Sequence, residues 1–362
     1  MEDSVYQKLR EQLDQYSVGF PTTHSGIEMK ILRKLFTEDE AGIFLDMSLL
    51  LEESASVAKR TGRDEEKTAE AIENMAQKGL IFRKRMDDTI KYAAVPFLVG
   101  SYEFQVGRMD KEFAEMFEDY FKEALTKNIS NVHLPLRTVP VHKSVDIGAN
   151  IAPYRDAREI IEMKDNIALA DCICRKQKRL LGEDCDNPRE VCFMFGSHAE
   201  YYVENGLARK ITQEEALSVI DKCEEAGLVC QPANSINPGG MCNCCGDCCG
   251  ILRALKIQPK PSEMVVNNYW ASVDPDICTG CETCVDRCQM EAVSINESDI
   301  AQINTDRCIG CGLCVTTCPS EAMSLVLKPE ESRFEPPANG RDLMQKTAQK
   351  RRKTLMPLSM SG

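Results

Sequence analysis

The chain has 362 residues, with 57 acidic against 44 basic side chains and a net charge of −13. That length admits two or three domains with cores of their own, and the acidic balance argues against a dedicated nucleic-acid binder. The 19 cysteines are too many for a packing role, and a secreted disulfide scaffold would be short and led by a signal peptide. None lies before Cys172, eleven lie from Cys172 to Cys249, and eight from Cys278 to Cys318. The N-terminal stretch MEDSVYQKLREQLDQY is charged and amphipathic, with no apolar core and no cleavage site. The longest apolar run, residues 92–100, is too short to span a bilayer and contains Pro96. A reducing cytoplasm is the expected location, where clustered thiols usually mean metal. Direct membrane insertion is not expected, and any membrane contact would run through another subunit.

In chain order, residues 27–36 carry an apolar helical period and residues 39–51 continue in the same style. SASVAKRTG (54–62) reads as a short helix closed by glycine. RDEEKTAEAIENMAQKG (63–79) reads as a second helix, with Ala69, Ile72, Met75 and Ala76 on one face and glycine as its stop. LIFRKR, the turn residues MDD and TIKYAAV then read as a two-stranded hairpin. Helix, turn, helix and hairpin in this order resemble a winged helix-turn-helix domain, within residues 1–130. The resemblance implies DNA binding, and the charges oppose it. Asp64, Glu65, Glu66, Glu70 and Glu73 stand against Lys67 and Lys78, crowding the end that would enter a major groove. Arg83, Lys84 and Arg85 in the hairpin are the main basic counterweight. Packing or protein docking is the expected role.

Residues 110–127 read as an acidic amphipathic helix, after which Pro135, Pro140 and Pro153 mark a change to extended chain. A cysteine-rich α+β domain is expected over 131–257. It contains a helix with Thr212 and Glu215 in a capping box and Gly227 as its stop. QPKPSE (258–263) reads as a linker, 264–328 as a further domain, and 329–362 as an extended tail with a basic, helix-like stretch at 342–353. The fold class is α+β.

An internal duplication is the strongest feature. VDPDICTGCETCVDRCQMEAVSI (273–295) aligns with INTDRCIGCGLCVTTCPSEAMSL (303–325), each with the spacing C-x2-C-x2-C-x3-C. Three closely spaced thiolates can cap three irons of a cubane. Residues 264–328 resemble the bacterial two-cluster ferredoxin domain. The resemblance implies two [4Fe–4S] clusters, one on Cys278, Cys281, Cys284 and Cys318, the other on Cys308, Cys311, Cys314 and Cys288. Pro319 follows the pattern, whereas Gln289 stands where a proline is expected, a change that bears on solvent access or potential. Nine acidic and three basic residues between Trp270 and Lys328 suit a carrier steered toward basic docking faces.

The upstream cysteines are harder to divide. In GGMCNCCGDCCG, Cys242, Cys245 and Cys248 repeat the three-corner spacing, leaving Cys244 and Cys249 over. Cys172, Cys174, Cys185 and Cys192 would suffice for another cluster, beside the basic run Arg175, Lys176, Lys178 and Arg179. That run would offset thiolate charge, dock an acidic partner, or simply be a solvated face. Cys223 reads as a core thiol and Cys230 as a remote fourth ligand. One or two additional [4Fe–4S] clusters are expected here, with zinc at one of the sets as the alternative.

Taken together, the winged-helix-like module, the CxCR cysteines, the CNCCxxCC stretch and the two-cluster unit resemble multi-domain iron–sulfur proteins of strict anaerobes. The resemblance implies electron transfer in anaerobic metabolism, with a flavoprotein or iron–sulfur oxidoreductase as partner and this chain as a subunit of a larger complex. No G-x-G-x-x-G and no P-loop is present. An iron–sulfur redox sensor acting through the winged helix, or a reductase with a catalytic cluster in the middle domain, are the alternatives. His198 reads as structural.

Overall fold

The computed structural model describes residues 2–86, 88–141 and 156–360. Asp87 of the hairpin turn, Pro153, Tyr154 and the last two tail residues lie outside these. The chain is α+β.

Five helices, Glu2–Leu13, Ile27–Leu35, Glu38–Asp46, Ser54–Thr61 and Glu65–Gln77, open the fold. Their ends follow local chemistry. Thr37 and Glu40 form a reciprocal capping box, and Asp64 accepts from the Lys67 amide. Gly62 and Gly79 stop their helices at φ 70° and 76°. The helix expected to run to residue 51 ends at Asp46, because Met47 turns extended. Strands β1 (Phe82–Met86) and β2 (Thr89–Ala93) pair antiparallel, and Glu52 bridges to Tyr92.

This hairpin is docked on the middle of the chain. Arg83, 4 % exposed, is ion-paired to Glu73 and Glu204, and Arg85 to Glu204. The Tyr201 hydroxyl donates to the carbonyls of Ala76 and Ile81.

The middle sheet contains β3 (Ile167–Asp171), β4 (Glu190–Phe195), β5 (Ala208–Ile211), β6 (Val229–Pro232) and β7 (Gly240–Cys244). Their order is β5-β3-β4-β7-β6, every pair antiparallel. Helix Gln213–Glu225, capped by Thr212, packs on β3 and β4. Side chains alternate along each strand, so Ala170, Cys192, Met194, Cys242 and Cys244 share a lining role in one cavity, with Tyr102 and Phe117 across from them.

The C-terminal unit repeats itself structurally as in sequence. Strands β8 (Tyr269–Val273) and β11 (Met323–Leu327) pair across the duplication, as β9 (Val293–Ile295) and β10 (Ala301–Ile303) do between the halves. Short helices Thr283–Arg287 and Leu313–Thr316 pack together.

One buried core runs from Tyr6 through Leu252 and Leu255 to Met290, Ile309 and Leu313. The apolar contact therefore crosses the expected linker, in which Pro261 is buried and the Ser262 amide donates to the Asp306 carbonyl. The tail likewise folds back. Helix Gly340–Arg351 brings Arg351 within 2.9 Å of Asp14, and the Leu358 amide donates to Gln12. Two residues of the basic stretch, Arg351 and Lys353, thus pair with Asp14 just past the first helix.

Candidate metal centres

In the C-terminal unit, each half winds three cysteines through a tight loop. Gly280 and Gly310 adopt φ 65° and 66°. A Cβ there would lie 2.2 Å from the Asp299 carbonyl or 2.3 Å from that of Tyr269, so the close approach requires glycine. Cys278, Cys281, Cys284 and Cys318 line one small cavity, and Cys288, Cys308, Cys311 and Cys314 line another. Each half's first three cysteines thus meet the other half's fourth. Backbone amides of Ala271, Ala292 and Ala301 donate to the sulfurs of Cys308, Cys288 and Cys278 at 3.3, 3.2 and 3.4 Å. Four sulfur donors around each cavity, with amides aimed at sulfur, fit a four-iron cluster.

The two sets differ in exposure. Cys281 is exposed, and the Thr283 hydroxyl holds its thiol below the ordinary range. Cys308 and Cys314 are buried, and burial pushes the half-buried Cys311 thiol up to about 12.

The middle thiols divide differently from their spacing. Cys185 lies 3.9 Å from Cys245 and 3.5 Å from Cys248, sulfur to sulfur, and all three sulfurs lie within 4.8 Å of one another. Cys242 does not join them. Cys172, Cys174, Cys192, Cys242, Cys244 and Cys249 instead ring one cavity beside the sheet.

The reason is strand geometry. Cys242 and Cys244 lie two apart on β7, where side chains two apart share a face. The β4–β7 register, with Phe193 opposite Met241, carries Cys192 to Cys242. Cys245 lies just past the strand and Cys248 in the turn that follows, and they turn to Cys185. Cys172 and Cys249 each sit at a helix start, before Ile173–Leu180 and Gly250–Lys256. The grouping of Cys172, Cys174, Cys185 and Cys192 is likewise divided, with Cys185 in the smaller set. Cys230, on β6, faces Cys223 in the core rather than either set, and burial pushes both thiols up.

Charged residues sort as well. Arg175, 1 % exposed, lies near Cys172, Cys245, Cys244 and Cys192; burial works against its charge, and negative charge on these sulfurs favours it. Its Nη2 donates to the Asn243 carbonyl at 3.0 Å. The thiol of Cys245 is drawn down to about 5 by Cys248 and, against burial, by Arg175. Lys178 reaches Glu118 at 3.1 Å, and Arg253 reaches it on the other side. Against burial, these two cations hold Glu118 at about 2. Glu118 therefore ties together the two helices that begin at Cys172 and Cys249. Arg179, by contrast, is solvent-facing. His198 stacks on Phe82 with centroids 4.8 Å apart, and burial lowers it to about 4.

The residue that joins the two cysteine regions is Gln289. Its Oε1 accepts from the Gly246 amide at 2.6 Å, and a Cβ at Gly246 would lie 2.6 Å from the Gln289 carbonyl. In the sequence Gln289 stands out as the residue in place of a proline, with no sign of its partner. The interface also holds Lys256–Glu291 at 3.0 Å, the Arg307 guanidinium on the Lys256 carbonyl, and Arg287 on the Glu224 carbonyl.

The C-terminal unit is thus a ferredoxin-like 4Fe–4S domain. Residues 271–325 match the family model described as a 4Fe-4S dicluster domain. A "Probable ferredoxin" of Methanosarcina thermophila is 48% identical over 33 residues, which are 9% of this chain and 57% of that protein. The match therefore spans little more than half of the relative's length. No solved structure matches. No helix among the described residues is long and apolar enough to cross a membrane.

Proposed function

We propose that this chain is an electron-transfer protein, or the electron-transfer subunit of an oxidoreductase, that passes single electrons between a partner and its own middle domain in anaerobic, cytoplasmic metabolism. Cys278, Cys281, Cys284 and Cys318 hold one cluster; Cys308, Cys311, Cys314 and Cys288 hold the other. When bound, each [4Fe–4S] cluster supplies one-electron transfer at low potential. The "Probable ferredoxin" relative supports this reading for the C-terminal unit alone.

The bond between Gln289 and Gly246 carries the proposal. It joins the residue after Cys288 to Gly246, two residues past Cys244, so the inner ferredoxin set and the larger group of middle thiols are connected through one hydrogen bond. The outer set has Cys281 at the surface, with exposed Glu282 and Asp286 nearby. Arg287, Arg307 and Lys328, the basic residues of this unit, donate to carbonyls within the protein. The face left to solvent is acidic and suits a flavoprotein or iron–sulfur partner with a basic docking surface.

The winged-helix-like module serves packing in this reading, because Arg83 and Arg85 are ion-paired to Glu73 and Glu204. A reductase reading is favoured by one observation: the cavity beside the ring is apolar and includes Glu103, which burial raises to about 7.

The relay is tested by reducing the anaerobic full chain with dithionite, removing the excess reductant by gel filtration, and mixing the reduced protein with methyl viologen as a one-electron acceptor. The expected result is reversible bleaching and stoichiometric viologen reduction, slowed by Cys281→Ala. Failure to exchange electrons with the viologen contradicts the proposal.

A further inference from the structure

Six thiols around one cavity outnumber what either familiar centre takes. A tetrahedral ion accepts four ligands, and a cubane offers four iron corners. Cys172, Cys174, Cys192, Cys242, Cys244 and Cys249 ring one cavity of about 140 Å³, with Cys192, Cys242 and Cys244 brought to it by β4 and β7. The three sulfurs of Cys185, Cys245 and Cys248 stand apart, and their spacing suits one tetrahedral ion. With a metal–sulfur distance of about 2.3 Å, tetrahedral geometry sets sulfurs roughly 3.8 Å apart, against the observed 3.5 and 3.9 Å.

Arg175 is the independent observation. Its side chain is all but fully buried, and its Nε and Nη1 lack a hydrogen-bond partner among the described residues. A buried guanidinium with two unmet donors costs free energy unless an anion meets it. Neutral thiols do not supply that anion. Thiolates bound to metal and inorganic sulfide do.

We propose that the six-thiol ring holds one polynuclear iron–sulfur centre, distinct from a single zinc ion at Cys185, Cys245 and Cys248, with Arg175 between them as the buried countercharge. Space beside the ring, rather than thiolates bridging one another, favours inorganic sulfide over a zinc–thiolate cluster. As the inner terminus of the relay, this centre rests on the electron-transfer reading; as a metal site it does not.

The test is to count iron, zinc and acid-labile sulfide in the anaerobically purified full chain and in two double variants. The full chain is expected to hold clearly more than the about eight irons of two cubanes, with about one zinc. Cys172→Ala with Cys249→Ala loses the excess iron, keeps the ferredoxin EPR signals and keeps the zinc. Cys185→Ala with Cys245→Ala loses the zinc and keeps the iron. Eight irons in the full chain, excess iron that survives the ring variant, or ring variants that release zinc alone would overturn the proposal. Should the ring variant fail to fold, Arg175→Met supplies a second reading. It lowers the midpoint potential of the additional centre and leaves the ferredoxin potentials unmoved; an unmoved additional signal removes Arg175 from that centre. Viologen kinetics play no part in these counts, so failure of the relay and failure of the ring are told apart.

Discussion

The ferredoxin unit and the middle domain both gather thiols, but by opposite routes. In the first, a tight loop sets three cysteines around one cavity and a duplicated partner supplies the fourth. In the second, strand ends, helix starts and a turn deliver nine thiols to two places. The difference teaches that C-x2-C-x2-C is a statement about loops. Where its first cysteine lies on a strand, as Cys242 does, pleat and register take precedence over spacing.

The sharpest test of the contrast is ligand removal. Cys308→Ala is expected to cost about four irons and one of two ferredoxin EPR signals, whereas Cys185→Ala leaves the iron count unchanged. Equal iron loss from both would erase the distinction. Next comes the brace of the ring. Glu118→Gln removes the carboxylate between Lys178, which keeps Glu183, and half-buried Arg253, and is expected to cost about 1–3 kcal/mol, measured by thermal unfolding. Because Glu118 is held near 2 rather than its ordinary 4.5, its contribution is complete above 4.5 and is lost as pH falls toward 2. The variant therefore shows a flatter acid limb.

A smaller effect is expected at the junction. Gln289→Pro leaves iron unchanged, lowers stability by about 1 kcal/mol in denaturant melts, and slows reduction of the middle centre. An unaltered rate would show that the route lies elsewhere. The smallest concerns His198, whose folded pKa near 4 lies below its ordinary 6.5. Its contribution is complete above 6.5 and declines as pH falls toward 4, so His198→Phe removes that part of the pH dependence of the urea midpoint.

Much of the fold was legible. The helices carried local signals in Thr212 with Glu215, Gly62 and Gly79, whereas the caps at Thr37 and Asp64 were not read from the sequence. The strands of the middle domain carried none of that strength, because IALAD and GMCNC mix apolar residues with cysteines whose role is not packing. The division of the thiols depends on the pairing of β4 with β7, a contact between residues almost fifty apart in the chain. Arg175 and Lys178 were visible as charge but not as buried charge. Gln289 was visible as an exception, and only the fold shows the Gly246 amide that it accepts from.

The most direct test of the account is an EPR-monitored redox titration of the anaerobic full chain, with integrated spins set against its iron content. The account predicts the two ferredoxin signals and a further iron–sulfur signal coupled to them. Spins and iron fully accounted for by two clusters would contradict it.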